Sequence, residues 1–308
     1  EERVLVQAAS GGGKSYLIRK FAEGATKKKI PQVIIQKDPE FNTLREKFDY
    51  ILVGDKSDDA DIQISLKIPE FLAKKIVELN TTSFILDLST LIVSERKPFV
   101  KRFLDEINST PKKLQHDRFF ILDEAHIFAP EKGKGESEAL RSIEELASQG
   151  RKKGFSLVCC TQRPAKLSKD VTSELGIKFI GKAIDKDDRK RNAEELGMST
   201  KPADTILFRN MGRPKFHFYA FGSAITTDEP ILIKVNECET RHEMERGIKK
   251  KIIPTRHSIK SILESIANLP EDAVKEKETI ESLKRKIEDD RKIIIDLEKS
   301  SRSSLQDH

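Results

Sequence analysis

The stretch "QAASGGGKSY", residues 7–16, places three consecutive glycines ahead of a lysine and a serine. The apolar residues 4–6 before it favour a strand, and residues 16–21 after it have helical spacing. Glycine lets a chain turn with its backbone N–H groups pointing inward, and a helix N-terminus adds partial positive charge. The stretch therefore predicts a phosphate-binding loop between a strand and a helix.

Residues 8–15 fit the Walker A pattern that ends in Gly-Lys-Ser, with Ala8 in place of the usual first glycine. Lys14 is expected to reach the β- and γ-phosphates of a nucleoside triphosphate, and Ser15 to bind Mg²⁺ through its hydroxyl. A plain tight turn is the alternative for a glycine-rich run on its own. The predicted nucleotide-binding residues are Ser10, Gly11, Gly12, Gly13, Lys14, Ser15 and Tyr16.

A second motif, "RFFILDEAH" at residues 118–126, is an apolar strand that ends in two carboxylates. Asp123 is predicted to hold Mg²⁺ together with Ser15, and Glu124 to act as the general base, as in a Walker B motif. Acidic residues that merely cap a surface strand are the alternative. The two motifs together favour ATP hydrolysis, with ATP and Mg²⁺ as cofactors.

A third stretch, residues 145–171, contains an apolar strand that ends at Thr161 and is followed by Gln162. If this strand lies beside the one that carries Asp123, Gln162 can contact the γ-phosphate and sense its loss. Gln162 is therefore a further predicted site residue on the carboxyl edge of the sheet.

Short β-branched runs alternate with amphipathic stretches through the first 220 residues. Strands that are apolar on both faces and alternate with helices predict an α/β fold with a mostly parallel central sheet. Strands are predicted at residues 3–7, 32–36, 50–53, 83–88, 118–123, 156–161, 178–181, 205–209, 215–220 and 229–235. Helices are predicted at residues 15–23, 69–79, 97–108, 136–149, 169–175 and 186–196.

Three segments are predicted along the chain: an ATPase domain at 1–240, a basic connector at 241–270 with a helix at 258–268, and a helical tail at 271–308. In the tail, apolar residues occupy positions a and d of a heptad, with Asp290 as the polar exception. This spacing predicts a short coiled coil or a helix docked on the body. The apolar positions are Ile280, Leu283, Ile287, Ile294 and Leu297.

The chain has 308 residues, of which 37% are hydrophobic and 35% charged, and a formal net charge of +6. This charge permits contact with a phosphate backbone, although a lysine-rich solvated surface explains it equally well. No apolar run approaches the roughly 18 residues of a membrane span, so no membrane contact is expected. The cysteines, Cys159, Cys160 and Cys238, lack metal-ligand spacing, which predicts reduced thiols in a cytoplasmic protein.

Four stretches make the chain resemble the HerA-like ATPases of the HerA/FtsK P-loop group, over about residues 4–221. They are "ASGGGKSY", "DPEFNTLREKFDY", "FFILDEAHIFAPEKGKGESEA" and "ASQGRKKGFSLVCCTQRPAKL". The resemblance implies a RecA-like fold, a homohexameric ring and ATP-driven movement of double-stranded DNA through its pore. It also implies an arginine finger at Arg151 that reaches the γ-phosphate of the neighbouring subunit. Arg163 is the competing finger, and a basic cluster at a helix end is the non-catalytic explanation of residues 151–153.

The chain also departs from this family, whose members usually carry an N-terminal β-barrel domain. Nothing here precedes the first strand, so the barrel either lies outside this chain or is missing from a single-domain member. A second hypothesis follows: an ATP-gated hexameric scaffold that assembles and switches a protein effector, such as a nuclease. The effector would bind the C-terminal tail or the missing N-terminal region. DNA-stimulated turnover favours the translocase, and partner-stimulated turnover favours the scaffold.

Other polar residues have two explanations each. Asp38 and Glu40 either lie near the nucleotide site or cap a helix at 41–48. The loop 128–138 is either a pore loop that offers Lys132 and Lys134 to DNA phosphate or a solvated loop. His126 is expected to pack rather than to take part in catalysis.

Overall fold

The computed structural model describes residues 2–54, 60–62, 68–211, 216–225, 227–241, 257–265 and 269–304. The chain divides into two compact units, Glu1–Leu263 and Glu264–His308. The predicted connector at 241–270 lies outside the described residues, apart from residues 241, 257–265 and 269–270. The nucleotide-binding motifs all fall in the first unit.

The first unit is built on one sheet, with strand order β3-β4-β2-β5-β6-β1-β7-β8-β9 in the described part of the chain. The strands are β1 (Val4–Gln7), β2 (Gln32–Gln36), β3 (Tyr50–Gly54), β4 (Ser83–Asp87), β5 (Arg118–Leu122), β6 (Phe155–Thr161), β7 (Ile177–Ile180), β8 (His217–Gly222) and β9 (Ile231–Lys234). The helices are α1 (Lys14–Lys27), α2 (Pro69–Glu78), α3 (Val93–Asn108), α4 (Leu140–Gln149), α5 (Lys169–Ser173), α6 (Lys186–Glu195), α7 (Leu207–Asn210), α8 (His257–Ser265) and α9 (Leu269–Ser304).

Strands β1 to β7 pair in parallel, whereas β8 joins β7 and β9 joins β8 in antiparallel fashion. The predicted α/β class with a mostly parallel sheet is therefore confirmed. Strand β1 lies between β6 and β7, and β5 is the next neighbour of β6. Because these strands run in the same direction, the loops that follow β1, β5 and β6 meet at one edge of the sheet, where α/β proteins bind ligands.

Side chains are buried on both faces of the sheet. Along β1, Val4 and Val6 join the core cluster that includes Leu17 and Ile18 of α1, while Leu5 between them is fully buried. Alternate side chains of a strand point to opposite faces, so both faces are covered. This double coverage explains why the strands are continuous apolar runs in the sequence.

A buried arginine fixes the start of β5, the strand that leads to the second motif. The guanidinium of Arg118 donates to the carbonyl oxygens of Thr82 at 2.7 Å, Leu79 at 2.9 Å and Ile76 at 3.1 Å. Two of these oxygens belong to the C-terminal end of α2 and the residue after it, where helix carbonyls have no intrahelical partner. Arg118 thus joins β5 to the end of α2.

The predicted strand at 205–209 is wrong. The structure has a 3₁₀ turn at Asp204–Ile206, which continues directly into α7. Thr205 and Phe208 are buried, whereas Ile206 between them is 42% exposed. A spacing of three between buried positions is helical, so the β-branched composition of the segment was misleading.

Helix α9 makes up most of the described part of the second unit and has 36 residues, which corresponds to a length of about 54 Å. This confirms the predicted helical tail. Leu283, Ile287 and Ile294 are 52%, 57% and 54% exposed. The side chains of Ile280 and Leu297 lie outside the described part, and the coiled coil stays a prediction. Within the described ranges, no helix has both the length and the hydropathy to cross a bilayer.

Candidate nucleotide-binding site

The glycine loop is anchored to the strands on either side of β1. The backbone N–H of Ala8 donates to the carbonyl oxygen of Thr161 at 3.1 Å, and that of Ala9 to Lys182 at 2.6 Å. Gly12 donates to the carbonyl oxygen of Ala9 at 2.8 Å, and a Cβ at Gly12 would lie 2.9 Å from the same oxygen. The loop therefore closes tightly above the ends of β6 and β7, and position 12 has no room for a side chain.

The glycines on either side of Gly12 turn the chain into α1. Gly11 and Gly13 have φ of +70° and +94°, which is the left-handed region that favours glycine. A Cβ at Gly13 would also lie 2.8 Å from the ring of Phe216. No side chain caps the N-terminus of α1, so its first N–H groups remain available to an anion. The predicted Ser10 and Gly11 are exposed at this mouth of the loop.

Lys14 joins the two motifs that the sequence predicts to cooperate. Its Nζ lies 2.5 Å from Oδ1 of Asp123 and 3.2 Å from Oε1 of Glu124, and all three side chains are buried. Burial alone lowers the pKa of a lysine, but the charges of Asp123 and Glu124 outweigh it and raise the pKa of Lys14. The ammonium therefore stays charged, as a phosphate ligand must.

Asp123 ends β5 and is 1% exposed. Burial raises its pKa to about 6, because the desolvation of the carboxylate, together with the nearby charge of Glu124, outweighs the attraction of Lys14. Carboxylates with perturbed pKa values are characteristic of functional sites. The protein alone does not fully compensate the negative charge of the Asp123 carboxylate, and a bound cation would do so.

Glu124 has a strained backbone and three polar contacts. Its φ is +50°, a value that is uncommon for a residue with a side chain and that often marks a functional site. Its Oε2 lies 3.2 Å from Nδ1 of His126 and accepts the backbone N–H of Gln162 at 3.4 Å. Burial by itself raises the pKa of Glu124, but the hydrogen bond with His126 and the charge of Lys14 outweigh this effect, so the pKa is lower than that of an ordinary glutamate. Glu124 is thus held ionised, as a general base requires.

His126 was expected only to pack, yet it contacts the predicted base. Its Nδ1 lies 3.0 Å from Oγ1 of Thr161, the last residue of β6, as well as near Glu124. His126 thus bridges the ends of β5 and β6. Its position two residues after Glu124 was the available signal, but the contact with Thr161 depends on the pairing of the two strands.

Gln162 follows β6 and is half-buried at the same edge of the sheet. The structure brings its backbone N–H to Glu124, as the predicted neighbourhood of the two strands requires. The role of its side chain as a γ-phosphate sensor stays a prediction.

Ser15, the predicted Mg²⁺ ligand, donates its hydroxyl hydrogen to Oε2 of Glu40. Among the described residues, no group of three or more His, Cys, Asp or Glu side chains could hold a metal ion by itself. Mg²⁺ at nucleotide sites commonly takes one or two protein oxygens, with phosphate and water completing its shell. The hydroxyl of Ser15 and the carboxylate of Asp123 are hard oxygen donors and fit this pattern.

Tyr16 is held by two later segments of the chain. Its ring stacks on Phe216, with centroids 4.1 Å apart, and its hydroxyl accepts the backbone N–H of Cys238 at 2.8 Å. Phe216 therefore touches both Gly13 and Tyr16 and stiffens the end of the phosphate loop. No local pattern predicts this contact, because 200 positions separate Tyr16 from Phe216.

The structure places the two candidate arginine fingers at opposite edges of the sheet. Arg151 is exposed in the 3₁₀ turn Gly150–Lys153, before β6 begins. The seven residues of β6 span about 20 Å, so Arg151 is far from Lys14 of its own chain. Arg163 follows β6 at the carboxyl edge, with its Nε 3.9 Å from Oδ2 of Asp188. Arg151 as a finger stays a prediction.

The loop 128–138, which follows the second motif, is fixed at its start and exposed beyond it. Glu131 donates its backbone N–H to the carbonyl oxygen of Lys166 at 2.8 Å. Lys132 and Lys134 are exposed, and Nζ of Lys132 lies 3.8 Å from Oδ2 of Asp170. Both the pore loop and the solvated loop remain compatible with this geometry.

The raised pKa of Asp123 predicts a cost in stability. The folded state binds a proton more tightly than the unfolded state, whose carboxyl has the ordinary pKa of 3.8. This contribution to stability is therefore present at low pH and is lost as the pH rises from about 4 to about 6. Asp123→Asn removes this titration together with the ion pair to Lys14, so its stability relative to the wild type should rise by about 1–3 kcal/mol across that window. Urea unfolding in EDTA at pH 4.5, 5.5 and 7.5 measures it, and a difference that does not change with pH would contradict the raised pKa.

Two curated relatives match part of this chain. The DNA double-strand break repair helicase HerA of Pyrococcus furiosus is 36% identical over 89 residues, which cover 29% of this chain and 16% of the relative. The probable DNA double-strand break repair helicase HerA of Methanocaldococcus jannaschii is 30% identical over 172 residues, which cover 49% of this chain and 34% of the relative. The alignments thus span about a third or less of these relatives' lengths. No protein-family model matches the chain.

A solved structure is similar over most of the chain. The genome packaging NTPase B204 of Sulfolobus turreted icosahedral virus 2, in complex with AMPPCP, has a TM-score of 0.53 at 16% identity. The similarity covers 77% of this chain and 99% of that protein. Identity at this level shows the fold alone, and the fold is the RecA-like α/β fold that the family resemblance implied.

Proposed function

We infer that this chain, whose resemblance to the HerA-like P-loop ATPases is supported by its relatives and is in keeping with its fold, hydrolyses ATP at the carboxyl edge of its sheet. One observation carries this proposal. The lysine of the glycine loop lies 2.5 Å from Asp123 and 3.2 Å from Glu124, so the two motifs form one buried polar site. Their cooperation is what phosphoryl transfer to water requires.

Each residue then has a separate task. The N–H groups of the glycine loop and the ammonium of Lys14 bind the phosphates, and Ser15 and Asp123 supply oxygen ligands to Mg²⁺. When bound, Mg²⁺ neutralises negative charge on the β- and γ-phosphates. Glu124, held ionised, accepts a proton from the attacking water. Lys14 now contacts both carboxylates and must also bind the incoming phosphates. Nucleotide binding should therefore rearrange the side chains of Lys14, Asp123 and Glu124.

We propose further that the chain works as a homohexameric ring in which Arg151 completes the site of the neighbouring subunit. The exposure of Arg151 and its distance from Lys14 of its own chain support an action between subunits rather than within one. The competing Arg163 follows β6 at the carboxyl edge of the sheet, with its Nε 3.9 Å from Oδ2 of Asp188 of its own chain.

Mixing of variants tests this arrangement. Arg151→Ala alone should lose turnover by about 10³-fold or more, because a finger residue is worth that much in related phosphoryl transfers. Mixed with Lys14→Met subunits, it should recover part of the activity, since some interfaces then combine an intact Lys14 with an intact Arg151. Phosphate release at several mixing ratios is the measurement. Recovery at none of them, in mixtures shown to co-assemble, would contradict a finger acting across the interface.

The proposed cellular work is translocation on double-stranded DNA. Both relatives are named as double-strand break repair helicases, and the similar viral structure is a genome packaging NTPase. The net charge of +6 agrees with binding to a phosphate backbone. The loop 128–138, with Lys132 and Lys134 exposed, is the proposed DNA contact.

A second candidate function rests on the tail. Helix α9 exposes Leu283, Ile287 and Ile294, an apolar set that a freely solvated helix does not need. This favours an ATP-gated scaffold that binds a protein effector, such as a nuclease, through the tail.

ATP turnover measured at increasing protein concentration, with and without DNA, distinguishes the translocase from the scaffold. A translocase predicts that long double-stranded DNA raises the rate of phosphate release, and that the rate per subunit rises with assembly to the mass of a hexamer. A scaffold predicts a hexamer whose turnover is indifferent to DNA. A monomer with full turnover at every concentration would exclude the intersubunit site on which both depend.

A further inference from the structure

Glu40 touches the phosphate loop, although it lies outside both nucleotide-binding motifs. It follows β2, and its Oε2 accepts the hydroxyl hydrogen of Ser15. The sequence left Asp38 and Glu40 with the same two explanations, a place near the site or a cap on the next helix. The structure separates the two residues. Asp38 is exposed, with Oδ2 3.4 Å from Nζ of Lys37, whereas Glu40 is half-buried against the loop.

The capping explanation does not fit Glu40. The element that follows is a 3₁₀ turn, Asn42–Glu46, and no side chain forms a hydrogen bond at its N-terminus. The nearby backbone N–H of Phe41 is satisfied by Oε1 of Gln36 at 3.0 Å. The carboxylate of Glu40 is therefore directed to Ser15 rather than to the start of this turn.

The position of Glu40 is fixed through its backbone. Nη2 of Arg19 donates to the carbonyl oxygen of Glu40 at 2.6 Å, and Nη1 of the same side chain donates to Oγ1 of Thr240 at 3.0 Å. Arg19 is completely buried and lies on α1, one turn after Ser15. The helix that carries Ser15 thus also holds the residue that accepts its hydroxyl hydrogen, and the carboxylate of Glu40 is not needed for that anchorage.

A hydroxyl group has one hydrogen and two lone pairs. When its oxygen binds a cation through a lone pair, the hydrogen must point elsewhere and needs an acceptor. Groups that hold a ligand in this way commonly set metal affinity without touching the metal. A carboxylate suits the task, because it only accepts and adds negative charge near a divalent cation.

We propose that Glu40 is a positioning residue for the divalent cation that accompanies the nucleotide: it accepts the hydroxyl hydrogen of Ser15 and leaves the lone pairs of that oxygen to the metal. The proposal rests on the proposed ATPase function and names a residue that its two motifs do not include. Glu40 acts through Ser15, so its effect belongs to metal binding rather than to proton transfer.

A metal titration of nucleotide binding tests the proposal without relying on turnover. Binding of a fluorescent ATP analogue is followed as Mg²⁺ is added, and Mn²⁺ binding in the presence of AMPPCP is followed by electron paramagnetic resonance. Glu40→Ala should raise the Mg²⁺ concentration for half-saturation by about 10-fold or more, and weaken Mn²⁺ binding similarly. Glu40→Gln, which keeps an acceptor oxygen but loses the charge, should lie between Glu40→Ala and the wild type. Asp38→Ala is the matched control and should titrate like the wild type.

A double-mutant cycle distinguishes positioning from a general effect of charge. In a Ser15→Ala background, Glu40→Ala should weaken metal binding no further, because the hydroxyl that it serves is gone. Fully additive losses, or a Glu40→Ala titration identical to that of the wild type, would overturn the proposal. Thermal unfolding in EDTA checks that each variant is folded. If the wild type itself bound the analogue without any dependence on metal, the proposed Mg²⁺-dependent ATPase site would also be contradicted. That outcome differs from one in which the wild type depends on metal and only the Glu40 variants behave unexpectedly.

Discussion

Glu124→Gln should lower ATP turnover by about 10²–10⁴-fold while nucleotide binding is retained. Glutamine has the shape of glutamate and can still accept hydrogen bonds from His126 and from the backbone N–H of Gln162, which lie 3.2 Å and 3.4 Å from Oε2 of Glu124. It cannot take a proton from water. Lys14 would remain paired with Asp123, so the phosphate-binding side of the site should be little changed.

Phosphate release and retention of labelled ATP after gel filtration measure the two halves of this prediction. The expected state is a protein that holds ATP without hydrolysing it. Glu145→Gln is the control, because Glu145 is exposed on α4 and should leave turnover at the wild-type level. Loss of ATP binding in Glu124→Gln, or turnover within about 3-fold of the wild type, which corresponds to less than 1 kcal/mol, would show that Glu124 is not the base.

Lys14→Met should nearly abolish turnover, by about 10²–10³-fold or more, and should weaken nucleotide binding. Lys14 carries the positive charge of the glycine loop to the phosphates, and methionine replaces its buried stem without that charge. The same change acts on the nucleotide-free protein. It leaves Asp123 and Glu124 buried without the lysine that now lies within 3.2 Å of both. Removing one partner of a buried ion pair costs about 3–5 kcal/mol of stability.

Calorimetric titration with an ATP analogue and urea unfolding at pH 5.5 and 7.5 follow these effects. The loss of stability should be smaller at pH 5.5, because protonation of the carboxylates relieves the unpaired charge. Lys28→Met, an exposed substitution just after α1, is the control and should change neither property. A Lys14→Met protein with wild-type turnover would exclude Lys14 as a phosphate ligand.

The sequence predicted those parts of the site that depend on neighbouring residues. The glycine loop, the strand that ends in Asp123 and Glu124, and the position of Gln162 each follow from a short stretch with its own spacing. The order of β1, β5 and β6 in the sheet then brings the three stretches to one edge. The parallel α/β pattern was also readable, because buried parallel strands are continuous apolar runs.

The missed features depend on contacts between residues far apart in the chain. Two carboxylates after β2, separated by one residue, looked equivalent in the sequence, and only the fold shows that Glu40 rather than Asp38 touches Ser15. Likewise, Phe216 stacks on Tyr16 at 4.1 Å, and Arg19 reaches Thr240 across 221 positions. Phe216 directly precedes β8 and Thr240 follows β9, so both contacts with α1 depend on the path of the distant chain, which no local pattern indicates.

The strand predicted at 205–209 is a case in which the local sequence pattern was itself misleading. Its composition is typical of a strand, but burial at Thr205 and Phe208 follows a helical spacing. Tertiary packing therefore overrode local propensity, as it commonly does in segments this short.

The most direct test of the nucleotide site is phosphate release from ATP by the purified chain, measured with Mg²⁺ and with EDTA, beside Lys14→Met and Glu124→Gln prepared in the same way. The site described here predicts release that requires Mg²⁺ in the wild type and is lost in both variants. Wild-type protein that binds ATP and Mg²⁺ in every assembly state yet releases no phosphate, or release that survives in both variants, would contradict it.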